Sequence, residues 1–225
     1  MFSKSLLVVG IALAGLALAQ SGPSAPPNAH ALIGSINLTD QTWICAGPVS
    51  LDSVTVLIKS VSVDAIHLDA GCTGTIGAIS VVQYRLDGIK VHTGAHDLSI
   101  GGGSIRCLGH DPLAHQDGIQ AMGGTGVTFF SLDDQCLTSN NAALFISEGM
   151  NRNGLPTAIV CDSCYLAGGG FPVRIGRSLS SGIRSSQVCP GRLGAILISR
   201  AAKDPINLNT TIGCRLSSGF SASPW

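Results

Sequence analysis

The chain has 225 residues, with 13 basic and 13 acidic side chains, 12% charged residues, 4% aromatics and 29 glycines. A formal charge of zero removes the electrostatic footprint of a binder of nucleic acid or of an anionic membrane surface. So few aromatic rings and so many small residues suit thin, stacked β-layers better than helices.

The N-terminus carries Lys4, then the apolar run Leu6 to Leu18, then the small-residue cleavage signal Ala17-Leu18-Ala19. This is the pattern of a secretory signal peptide over 1–19. A Pro/Ser-rich linker over 20–30 follows, and 31–225 is read as one domain. Beyond the leader no apolar run reaches the length of a membrane span, so a secreted, extracellular protein without membrane insertion is expected. All eight cysteines (Cys45, Cys72, Cys107, Cys136, Cys161, Cys164, Cys189 and Cys214) lie in the domain. In an exported chain an even count points to disulfides. Cys161-x-x-Cys164 offers metal as the alternative, but no second pair of ligands at zinc-site spacing accompanies it.

Four segments then superpose without gaps: DQTWICAG (40–47), DAIHLDAG (64–71), DGIKVHTG (87–94) and DGIQAMGG (117–124). The offsets between their aspartates are 24, 23 and 30 residues. AALFISEG (142–149), FPVRIGRS (171–178) and GAILISRA (194–201) continue the apolar alternation without the Asp. Between them lie further short strand-like pieces: SVTVLI (53–58), TIGAISVV (75–82), DLSI (97–100), GVTFF (126–130), TAIV (157–160) and TTIGC (210–214). Turn-forming Gly, Asn, Ser and Pro clusters separate these, and no helical period is sustained. A repeat of this length, made of short strands, is the pattern of stacked coils that bury their apolar sides against one another. A β-sandwich or barrel is the alternative fold.

On this repeat the chain resembles the right-handed parallel β-helix proteins of the pectate-lyase-like superfamily. The resemblance covers most of 31–220 and implies an all-β fold, a single-stranded right-handed parallel β-helix of about seven coils stapled by disulfides. In such coils Ile66 and Leu68, Ile89 and Val91, Ile119 and Ala121, Leu144 and Ile146, Val173 and Ile175, and Ile196 and Ile198 point inward. Trp43, His67, Lys90, Gln120, Phe145 and Arg174 form one outward column, and Cys45, Asp69, His92, Met122 and Ser147 a second. Stacking equivalent strands also suggests the pairs Cys45–Cys72, Cys107–Cys136 and Cys189–Cys214, which leaves Cys161 with Cys164 or an exchange with Cys136.

The same logic stacks Asp40, Asp64, Asp87 and Asp117. Each either accepts backbone N–H bonds at the turn entering its strand or shares a bridging cation such as calcium with its neighbours. The long 30-residue offset is accounted for by GHDPLAHQ (109–116), which carries His110, Asp111 and His115 beside the outward columns.

The implied chemistry is action on, or binding of, extracellular polysaccharide. A uronan lyase needs a cation or Arg to neutralise the uronate carboxylate and a base to remove the adjacent proton. His115, His92 and Lys90 are the candidate catalytic groups. His110, Gln120 and Arg174 are the candidate substrate contacts, and Asp87, Asp111 and Asp117 the candidate calcium ligands. Hydrolysis by paired acids is the other enzymatic route. There HQDG (115–118), Asp133-Asp134 and RIG (174–176) are similar to motifs of polygalacturonases, although no Gly-His-Gly occurs and Gly176 stands where those enzymes carry Lys. A non-catalytic secreted β-helix that binds a glycan or cell-surface partner is the alternative function. A monomer is expected.

Overall fold

The computed structural model describes residues 32–83, 85–108, 116–136, 142–149 and 154–215. The described residues form twenty β-strands and no helix, and every ladder between those strands is parallel. No helix long and apolar enough to cross a membrane occurs among them.

Seven strands of three residues each make one sheet: Trp43–Cys45, Ile66–Leu68, Ile89–Val91, Ile119–Ala121, Leu144–Ile146, Val173–Ile175 and Ile196–Ile198, paired in chain order. A thirteen-stranded sheet begins with the long strands Leu32–Thr39, Pro48–Leu57 and Thr73–Gln83. The last of these pairs through Gly74–Ile76 with His96–Ile100 and through Ile79–Gln83 with Gly103–Cys107. From there the sheet runs on as two ladders. One continues through Thr125–Phe130, Val160–Asp162, Gly182–Arg184 and Ile206–Leu208. The other continues through Leu132–Cys136, Tyr165–Gly168, Gln187–Cys189 and Thr211–Ile212. Each pass of the chain thus adds one strand to the short sheet and then one or two to the large one. This order is compatible with a parallel β-helix.

The core lies between the sheets, where period-2 alternation turns one side of every strand inward. Ile66, Leu68, Ile89, Val91, Ile119, Ala121, Leu144, Ile146, Val173 and Ile175 are buried in the positions their repeats assign. Each of the larger aliphatics contributes about 1.5–3 kcal/mol by leaving water. The expected inner pair Ile196 and Ile198 departs from this. Their strand is the edge of the short sheet, and Ile198 stays 38% exposed because no further described strand covers it.

The first repeat is displaced by one residue from the superposition on Asp and Gly. Trp43 pairs with Ile66, Ile44 with His67 and Cys45 with Leu68. A slip of one position exchanges the two faces of a strand. Trp43 and Cys45 therefore point into the core, and Ile44, 55% exposed, takes the outward place assigned to Trp43. Asp40 leaves the aspartate column for the same reason. It sits at positive φ and caps a different turn, accepting hydrogen bonds from Lys59 N, Ser60 N and Ser60 Oγ at 2.6, 2.9 and 2.7 Å.

Four disulfides tie the layers: Cys45–Cys72, Cys107–Cys136, Cys161–Cys164 and Cys189–Cys214. Three are the pairs that stacking of equivalent strands predicts, the fourth is Cys161–Cys164 without exchange, and such bonds persist in oxidising compartments.

Candidate functional site

The short sheet presents its outward face as two columns. Parallel pairing sets His67 beside Lys90, Lys90 beside Gln120, Gln120 beside Phe145 and Phe145 beside Arg174. Two residues further along each strand, Asp69, His92, Met122 and Ser147 follow the same order.

Beneath the first column runs a ladder of three aspartates. Asp64 Oδ1 accepts the Asp87 N–H at 3.0 Å, Asp87 Oδ1 accepts the Asp117 N–H at 2.7 Å, and Asp117 Oδ1 accepts the Ala142 N–H at 2.8 Å. Each carboxylate thus caps the strand entry of the next pass, and the ladder ends where Ala142 replaces Asp. The second oxygens are engaged as well. Lys90 Nζ bridges Asp64 Oδ2 at 3.0 Å and Asp87 Oδ2 at 3.1 Å, His67 Nε2 bonds Asp64 Oδ2 at 2.9 Å, and Gln120 Nε2 donates to Asp117 Oδ2 at 3.4 Å. Of the two roles open to this column, the backbone cap is the one the geometry builds. Asp87 and Asp117 are buried, with protein donors on both oxygens of each, and Asp111, the third expected calcium ligand, lies outside the described residues.

The charges follow from this packing. Burial by itself would raise Asp64, but hydrogen bonds from His67 and Lys90 outweigh it and hold the carboxyl at about 2. Burial pushes Asp87 up, and the neighbouring Asp117 charge adds to it against Lys90, to about 7. Lys90 is desolvated too, yet the two carboxylates win and keep its ammonium above the usual lysine range. Lys90, a candidate base in the sequence, is here tied to two carboxylates as a cation. It is the counter-ion of the aspartate ladder. His92 is shifted down, chiefly by burial, and is a neutral imidazole at neutral pH.

Beside this network His67 and His92 meet edge to face, ring centroids 5.0 Å apart, and His92 Nε2 lies 3.7 Å from Asp69 Oδ1. These three side chains remain 26%, 33% and 36% exposed for His67, His92 and Asp69. At the far end of the column the Arg174 guanidinium lies 4.9 Å from the centroid of the Phe145 ring, a cation–π contact that aligns it on the open face. Gln120, expected as a substrate contact, is buried and engaged with Asp117. His110, Asp111 and His115 lie outside the described residues.

The neighbouring Asp133 and Asp134 point to opposite sides of their strand. Asp133 faces outward from the thirteen-stranded sheet, where Arg106 Nη2 binds its Oδ2 at 2.9 Å. Asp134 faces inward, and a Cβ built on Gly118 would lie 2.1 Å from its Oδ2. Fully buried, with no hydrogen-bond partner for Oδ2 among the described residues, Asp134 is pushed well above the ordinary aspartate value, chiefly by burial. Gly118 is thus required by the close approach of this carboxyl.

Asp64, His67 and Asp69 are the site residues that motif reading misses. The signal for them is the column itself, since residues 23 to 26 apart become neighbours only when the repeats stack. Comparison of the chain with known protein families, with curated proteins and with solved structures gives no match.

Proposed function

We propose that this is a secreted right-handed parallel β-helix protein of the pectate-lyase-like type that binds an acidic extracellular polysaccharide along the outward face of its short sheet. The arrangement of that face carries the reading. One straight column runs from His67 and Lys90 to Arg174. Lys90 and Arg174 are three strand spacings apart, roughly 14 Å, a length over which a linear glycan can lie. The Phe145 ring beneath Arg174 offers a stacking surface, and Arg174 offers a planar donor to a uronate carboxylate.

Cleavage by β-elimination is a second reading of the same face. It is favoured by the two histidines that meet on the solvent side of Lys90, a position from which an imidazole reaches a sugar proton. Both readings are tested with the full chain on polygalacturonate and alginate, with neutral glucans as controls. Binding predicts retarded migration in gels containing polyuronate, weakened by Arg174→Ala and absent with neutral glucans. Elimination predicts, in addition, growth of the absorbance of unsaturated products. Equal behaviour in acidic and neutral gels would overturn the proposal.

A further inference from the structure

We propose that His67, Asp69 and His92 form a binding site for a zinc-class divalent transition-metal ion on the open face of the short sheet. One donor atom from each residue lies within 4.8 Å of the others. A tetrahedral ion with ligands at about 2.0–2.2 Å needs donors roughly 3.3 Å apart. The His92 Nε2 to Asp69 Oδ1 separation of 3.7 Å is already close to that, and the remainder is within reach of small side-chain rotations.

The donors stand on a rigid frame. His67 and Asp69 are two residues apart on one outward side, and His92 follows the next strand of the sheet, a single spacing away. The set is completed behind the donors. His67 Nε2 is held by Asp64 Oδ2 at 2.9 Å, which leaves the lone pair on Nδ1 and gives the carboxylate–histidine support common to metal sites. Two imidazoles and one carboxylate select a borderline ion over calcium, which takes six to eight oxygen ligands. Three protein ligands leave a coordination position open, and the partial exposure of all three residues lets an external oxygen reach it.

The ligand for that position is a uronate carboxylate, a step that rests on the polysaccharide reading above. Around Lys90 the partly exposed Asp69 and, beneath the face, Asp64, Asp87 and Asp117 stand against a single lysine. An anionic glycan meets net repulsion there, which a bound dication reverses.

The test uses the disulfide-intact full chain stripped with chelator and titrated calorimetrically with Zn2+ alone. One saturable ion per chain is expected, abolished by His92→Ala and by Asp69→Asn and retained in His96→Ala. Asp64→Asn is expected to weaken binding by about 10–100-fold, as loss of a supporting carboxylate does. Substitution with Co2+ should give the visible absorption of a low-coordinate nitrogen and oxygen site. Absence of saturable Zn2+ binding, or binding unchanged in folded His92→Ala and Asp69→Asn proteins, would overturn the site. Polyuronate retention is then compared in Zn2+ and in EDTA. Zn2+ binding with retention indifferent to EDTA overturns the bridging role alone. Zn2+ binding with no retention under either condition overturns the polysaccharide reading and leaves the metal site standing.

Discussion

Asp87 makes the aspartate ladder measurable. Its carboxyl is raised from 3.8 to about 7, by burial first and by the Asp117 charge second. The folded protein therefore holds this proton more tightly than the unfolded chain does. The stability that Asp87 contributes is fully present below pH ~4 and is lost as pH rises through about 7. At about 1.4 kcal/mol per pH unit, a shift of this size is worth up to ~4 kcal/mol across the window. Asp87→Asn keeps an oxygen to accept the Asp117 N–H and removes the titration. The constant cost of placing an amide against Lys90 cancels when one pH is compared with another. His92 acts in the opposite sense, because burial shifts it downward, but it is common to both proteins. Urea unfolding midpoints, measured with disulfides intact and in EDTA from pH 4 to 8.5, should show the natural protein losing stability relative to Asp87→Asn as pH rises. A stability difference that stays flat, or that moves the other way, would refute the account of the ladder.

Three further outcomes follow from the same packing. Lys90→Met leaves Asp64 and Asp87 without their shared cation and should cost about 3–5 kcal/mol at pH 8, less at pH 5, where Asp87 holds its own proton; the thermal midpoint at the two pH values checks it. Gly118→Ala drives a methyl into the buried Asp134 carboxyl and should lower stability by about 1–3 kcal/mol, with relief in the Gly118→Ala, Asp134→Ala double variant measured by urea titration. Replacing Cys107 and Cys136 together by serine opens a loop closed over 29 residues and should cost about 3.5 kcal/mol, read as a lower urea midpoint under non-reducing conditions.

Much of the architecture is legible in the chain because stacking repeats itself. Ile89 and Val91, Ile119 and Ala121, and Leu144 and Ile146 all sit where alternation places them, since every pass must bury the same side of the same short strand. Three of the disulfides are legible for the same reason, and the structure settles the fourth as Cys161–Cys164. The first repeat misleads because its Asp and Gly have local reasons to be there. Asp40 caps the turn at Lys59 and Ser60, and a superposition anchored on it exchanges Trp43 for Ile44. The strand Gly103–Cys107 alternates over only five residues, and pairing with Ile79–Gln83 is what defines it.

The sequence by itself determined an all-β chain of short repeated strands, most of its inner ladder and three of the cysteine pairs, because each depends on spacing along the chain. The roles of the polar groups were decided only by the tertiary structure. Lys90 reads alone as a base, but between two carboxylates 26 and three residues before it in the chain it is a counter-ion. Asp134 reads as half of an acid pair, but it is a fully buried carboxyl packed under Gly118. His67, Asp69 and His92 become one group because parallel strands bring successive passes to a single spacing of about 4.8 Å. Charge, protonation and coordination act across that spacing, and the linear order of residues does not contain it.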